Sequence, residues 1–234
     1  MKLLKCLLCS LALLKLAPAH AQHEKPNLEK DLAQYEAERK AGTLSYEAAM
    51  KYGELFRDSR IMDRTAAAMY RDKAFEAFKE AGLRQPGDVA ASFNMGTVAY
   101  SKWTELADSV FTNNARVKTL TAERVAEKDP QKKAASDAAF KEQLDHYKKI
   151  NATLEPLADV RLDEAIACFT KVYVSLKDKA VKSDTENSLY KKSISLLEHL
   201  HAHKRDSYKG KNVKGYDEQD ARVKQYKGLQ EKLK

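Results

Sequence analysis

Proline and glycine are scarce in this chain, five and eight residues among 234. A loop-rich fold needs both, because glycine reaches backbone conformations closed to other residues and proline presets turns, so their scarcity points to long regular elements. Cysteine is scarcer still. Two of its three copies, Cys6 and Cys9, lie in an N-terminal apolar run, so removal of that run would leave Cys168 alone and exclude an intrachain disulfide. The setting of Cys168, Ala165-Ile166-Ala167-Cys168-Phe169, reads as helix packing, since no basic side chain sits beside it to favour a thiolate. No stretch shows the apolar–polar alternation of a half-buried strand. Chemistry-bearing motifs are also missing: there is no glycine-rich phosphate loop, helical zinc-protease motif, paired-cysteine metal site or nucleophile elbow. With no nucleophile, base and orienting group identifiable together, the chain is expected to be no enzyme and to need no cofactor.

The N-terminus has the pattern of a secretory leader. Lys2 and Lys5 supply positive charge, Cys6 to Leu14 is a short apolar run, and Ala19-His20-Ala21 offers small residues around a cleavage site. Residues 1–21 are thus expected to be removed, leaving a chain from Gln22 that is exported to the periplasm or secreted. The run is short of the roughly 20 apolar residues of an integral span, and Lys15 interrupts it. Neither Cys6, after Lys5, nor Cys9, after Leu8, follows the small residue that lipoprotein acylation requires. The leader also carries three lysines, so its loss lowers the net charge from +8 to +5. Residues 204–234 hold ten Lys or Arg against five Asp or Glu and account for all of that excess. Such a basic tail can touch an anionic envelope component, or it can be an ordinary solvated helix. Its interspersed acids, its preference for Lys over Arg, and export of the chain argue against nucleic acid.

What the chain has in abundance is helical signal. Asn27 is placed to cap a helix whose first turn carries Glu29 and Asp31 and which stops near Gly42. Ser45 and Asp88 are candidate caps further on, Asp129-Pro130 is a good helix start, and Ser183 with Glu186 forms a capping pair. Thr112-Asn113-Asn114 marks an expected break, and a last helix is expected from about Asp217 to Leu233. Between Gln131 and Asn151 the sequence is rich in charge, with a narrow stripe of Phe140, Leu144, Tyr147 and Ile150. This predicts a long charged hairpin projecting from the body.

The segment Ala66 to Tyr100 carries the clearest organisation. Tyr70, Ala74, Phe78 and Ala81 share one helix stripe, alternating bulky and small groups so that a second helix can approach closely. Gln85-Pro86-Gly87-Asp88 stops that helix and restarts the next, which holds Phe93, Asn94, Met95, Gly96 and Tyr100. A glycine inside a helix costs about 1 kcal/mol against alanine, so Gly96 calls for a helix packed on it. Gly53, between Tyr52 and Phe56, repeats the pattern upstream. In these residues the chain resembles the tetratricopeptide repeat family: Ala74, Phe78, Ala81 and Pro86 look like its second repeat helix, and Asn94, Met95, Gly96 and Tyr100 like its first. Leu162, Ala165, Ile166, Phe169, Val172, Tyr173 and Leu176 look like a further second helix. In order and composition the chain is similar to secreted or periplasmic repeat proteins of Bacteroidetes-type bacteria. The resemblance implies an all-α solenoid of helical hairpins over residues 22–203, with irregular repeats, an expanded helical pair at about 104–160, and the basic tail beyond 204.

The resemblance also implies a groove lined by the first helix of each pair, here Glu47, Met50, Glu54 and Arg57, then Phe93, Thr97, Tyr100 and Ser101. Such a groove would take a peptide segment or a protein partner through aromatic contact and charge pairing; Phe93, Tyr100 and the single tryptophan, Trp103, can equally serve the core. His199 and His203 fall one turn apart on a helix and are weak candidates to share a divalent ion; the alternative is a polar helix end. Two functions follow as expectations: a non-catalytic envelope scaffold that binds a partner in the groove, or an accessory protein that binds an anionic component or a metal through the tail or the histidines.

Overall fold

A computed structural model describes residues 27–58, 63–126 and 130–233; the expected leader lies outside them. Among the described residues the chain is all-α, with seven helices and no strand. Local chemistry sets most of the boundaries. Helix α1 (Leu28–Ala41) starts where the Asn27 side chain accepts from the Lys30 amide, and ends at Gly42, whose φ of 71° only glycine adopts freely. Ser45 Oγ accepts from the Ala48 amide at the start of α2 (Tyr46–Asp58). Asp63 caps α3 (Arg64–Arg84), and Asp88 accepts from the amides of Ala90 and Ala91 at the start of α4 (Val89–Ala126). Helix α5 (Pro130–Lys177) opens on its proline, and α6 (Asp184–Tyr208) has the full reciprocal capping box of Ser183 and Glu186. Asn212 caps α7 (Val213–Lys232), which starts about a turn before the expected Asp217. Each such side-chain cap stabilises its helix by about 1 kcal/mol.

The helices pair in chain order: α2 with α3, α4 with α5, α6 with α7, and each hairpin leans on the next through α3–α4 and α5–α6. One physical device recurs in the first two hairpins. A Cβ on Gly53 would come within 2.6 Å of the Phe78 ring, and a Cβ on Gly96 within 2.8 Å of the Phe169 ring. In each hairpin a bare backbone lets a buried phenylalanine ring come close against the partner helix, which offsets the glycine's helix penalty with buried aromatic area. Around Phe78, the ring of Tyr35 meets Tyr52 and Phe56 edge-on, Tyr52 stacks on Phe56 and Tyr70 tilts against Phe56, which ties α1 to α2 and α3. Around Phe169 a second core gathers Trp103, Leu162, Val172, Ile194, Leu197 and Tyr226.

Two expectations are corrected. Thr112-Asn113-Asn114 does not break the chain; α4 runs through it to Ala126. Asn113 Nδ2 donates to Asn151 Oδ1 (2.8 Å), and Asn151 Nδ2 donates to Asn114 Oδ1 (3.0 Å). The asparagines, which alone favour turns, are instead spent on one another between helices. They form a polar layer in a seam whose sheltered positions, Val110, Asn113, Val117, Leu120 and Arg124 on α4 and Phe140, Leu144, Tyr147, Asn151 and Leu154 on α5, are spaced three and four apart. That is coiled-coil spacing, so the far half of α4 and the near half of α5 form an antiparallel coiled-coil arm. The expected stripe of Phe140, Leu144, Tyr147 and Ile150 is half-buried throughout, and Asn151, next to Ile150, is the buried position of the seam. Finally, residues 204–234 are not a unit separate from the body. Residue 204 lies inside α6, and α7 sends Tyr226 into the second core with Leu229 and Leu233 against it.

Candidate interaction face

The glycine contacts fix the rotation of α2 and α4. With Gly53 facing α3 and Gly96 facing α5, a 100° turn per residue sends the residues at −3, +1 and +4 from each glycine to the same side of their helices. On α2 these are Met50, Glu54 and Arg57, with Glu47 a turn earlier; on α4 they are Phe93, Thr97 and Tyr100, with Ser101 beside them. All eight expected groove residues are exposed or half-buried. The two helices are joined at both levels of this side: Tyr46 Oη donates to Asp88 Oδ2 (2.7 Å), and Arg57 Nη1 donates to Asn94 Oδ1 (2.8 Å). Burial and the Asp88 carboxylate together push the Tyr46 phenol up to about 12, so this link stays a neutral donor across the physiological range.

The charges divide unevenly. Arg57 is committed inside the protein: it donates to both carboxylate oxygens of Asp58, and its guanidinium sits 5.7 Å from the centre of the Phe78 ring. The hydrogen bond from Arg57 holds the Asp58 carboxyl below its ordinary value. Glu47 and Glu54, by contrast, are exposed and make no ion pair among the described residues. The α2 side of the face therefore offers free negative charge, while the arginine expected to pair with a ligand stiffens the scaffold.

The α4 side is aromatic. Phe93 stands edge-on to Phe169 with ring centres 5.4 Å apart, and Tyr100 leans on Trp103 at 5.5 Å. Both rings are half-buried, so each serves the core with one edge and keeps surface open on the other. The Thr97 hydroxyl donates to the Phe93 carbonyl within its own helix (3.0 Å). Sequence reasoning missed that α6 joins this surface: the His199 ring approaches Tyr100 with centres 6.2 Å apart. No spacing within one segment could show it, because the contact depends on how α4 and α6 pack.

The histidines take different places. His199 and His203 both lie edge-on to Trp103, at 6.1 and 4.7 Å between ring centres. Among the described residues no group of three or more His, Cys, Asp or Glu is arranged to hold a metal ion. His201 is buried, stacks on Tyr226 and shares its Nδ1 with Gln219 Oε1 at 2.6 Å; desolvation holds its imidazole below the ordinary value. Cys168 is half-buried in α5, and burial pushes its thiol up to about 11, far from a reactive thiolate. No helix among the described residues is long and apolar enough to cross a membrane. In the comparisons with known proteins, no family model, no curated protein and no solved structure matches this chain.

Proposed function

We propose that this chain is a non-catalytic interaction scaffold, exported to the bacterial envelope or beyond, which holds a peptide segment or partner protein on the face of α2 and α4. The observation that carries the reading is the repeated build of that face: two helices set by the same glycine–phenylalanine contact, tied by Tyr46–Asp88 and Arg57–Asn94, and presenting unpaired Glu47 and Glu54 beside the open edges of Phe93 and Tyr100. The same repeated contact and the chain-order pairing of hairpins support a tetratricopeptide-like arrangement with irregular repeats. The leader pattern of residues 1–21 supports export.

The mechanism is preorganisation. Side chains on packed helices lose little freedom on binding, so the ordering cost falls mainly on the partner. The free acids favour a partner segment that carries Lys or Arg, with an apolar or aromatic residue placed for Phe93 and Tyr100. The alternative of an anionic ligand on the tail has less support, since Arg205 and Lys224 are already paired with Asp220. Glu47→Lys with Glu54→Lys tests the proposal. Both residues are exposed, so the variant is expected to fold as the parent while partner capture from envelope extract falls roughly tenfold or more, by loss of attraction and gain of repulsion. Unchanged capture by the charge-reversed chain would remove the proposal's support.

A further inference from the structure

Where the coiled-coil arm leaves the body, α4, α5 and the end of α6 enclose a cleft of about 500 Å³ that the α2–α4 face does not use. One wall is aromatic: Trp103, only 5% exposed, and Phe111, 74% exposed although it is a large apolar side chain. Tyr208 contributes a third ring. The α5 wall carries Glu155 and Asp159, both exposed and neither engaged in an ion pair or side-chain hydrogen bond among the described residues. Lys211 is the one Lys or Arg of the lining. Desolvation, followed by the neighbouring His199, holds the His203 imidazole in the same lining below its ordinary value, which disfavours a positive charge there.

We infer that this cleft seats the Lys or Arg side chains of an extended polypeptide segment. Aromatic faces beside carboxylates suit a cation on an apolar stem, since the rings attract the charge through their quadrupoles and cover the methylenes. The chain already contains one such pairing. Asp163, one turn beyond Asp159, binds Lys204 of α6, and a smaller cleft there shares Asp159, Ser207 and Tyr208 with the larger one. Glu155, Asp159 and Asp163 therefore form a ridge with one carboxylate per helical turn, an advance of about 5–6 Å each. Alternate side chains of an extended strand advance about 6.6–6.8 Å, a close enough match for two basic residues of one segment to meet Glu155 and Asp159 as Lys204 meets Asp163. This continuity along α5 favours a polypeptide over an isolated small cation.

Trp103 is the only tryptophan in the chain and lines the cleft, so its fluorescence reports occupancy directly. The intact chain is titrated with a capped Arg-Ala-Arg peptide, with a capped Gln-Ala-Gln peptide, and with agmatine as a free guanidinium, all at matched ionic strength. A saturable change with the arginine peptide is expected. Its affinity should fall roughly tenfold in Glu155→Gln with Asp159→Asn and decline further with added salt. Both substitutions are at exposed positions, so the variant retains the parent's circular dichroism. The inference is overturned if nothing saturates, if the glutamine peptide responds equally, if the double variant binds as the parent does, or if agmatine binds as tightly as the peptide. Glu47→Lys with Glu54→Lys leaves this titration unchanged, so this site and the α2–α4 face can fail separately.

Discussion

Alanine in place of glycine should have opposite consequences at two helix-interior positions of this protein. At Gly228 in α7 an added Cβ meets nothing within 4 Å, so Gly228→Ala collects only the helix-propensity gain, about 1 kcal/mol. At Gly96 in α4 the same Cβ would meet three ring atoms of Phe169 at 2.8 to 3.0 Å. That ring is fully buried and has Phe93 at its side, so it has little room to withdraw. Overpacking of this kind costs about 1–3 kcal/mol, which cancels the propensity gain or exceeds it by up to about 2 kcal/mol. The two variants should therefore differ by about 1–3 kcal/mol, or several degrees in Tm for a chain of this size. Urea denaturation of both proteins, with Gly96→Ala repeated in a Phe169→Leu background, measures the steric part alone. In that background the alanine should recover most of the Gly228→Ala gain. If Gly96→Ala stabilises the parent as much as Gly228→Ala does, the close approach of α4 and α5 is not what the glycine is for, and the argument that sets the face fails.

Replacing both Asn113 and Asn151 with Leu should raise Tm while loosening the register of the arm, because an apolar layer packs well but does not specify alignment; exchange-broadened NMR signals confined to the arm check this, and sharp signals would contradict it. In a background of Cys6→Ser and Cys9→Ser, Cys168 should label with a thiol reagent roughly 100-fold more slowly in the folded chain than in urea, since a thiol near 11 has that much less thiolate than one near 9. Stability should also fall on mild acidification. His201 binds its proton less readily folded than unfolded, so its contribution is complete above the unfolded value of about 6.5 and is lost as pH drops through the folded one. Denaturation of the parent and of His201→Gln at pH 7.5 and 5 should show a smaller pH loss in the variant; equal losses would assign the effect elsewhere.

The sequence was most legible where physics is local. Asn27, Ser45, Asp88 and the Ser183–Glu186 pair each announce a helix start within four residues, and all of them cap as their types suggest. Gly96 announced a close approach, but its partner Phe169 lies far along the chain, near the end of the next helix, and only the fold pairs them. Asn113 and Asn114 misled because their local preference for turns is outweighed by hydrogen bonds to Asn151, a tertiary effect with no signature at either end. The family resemblance placed Arg57 on the groove; its hydrogen bonds to Asp58 next to it and to Asn94 on α4 had no signature in that pattern. The basic composition of residues 204–234 concealed Tyr226, whose burial builds α7 into the core.

The central claim, a polypeptide partner held across α2 and α4, is tested most directly by site-specific photo-crosslinking in intact cells that produce the chain. A benzophenone side chain is placed in turn at Met50, at Thr97 and, as a reference, at Lys79, which is exposed on α3. The account predicts one and the same crosslinked partner from Met50 and Thr97, lost in the Glu47→Lys, Glu54→Lys background, and none from Lys79. Crosslinks from Lys79 alone, or unrelated products from Met50 and Thr97, would contradict it.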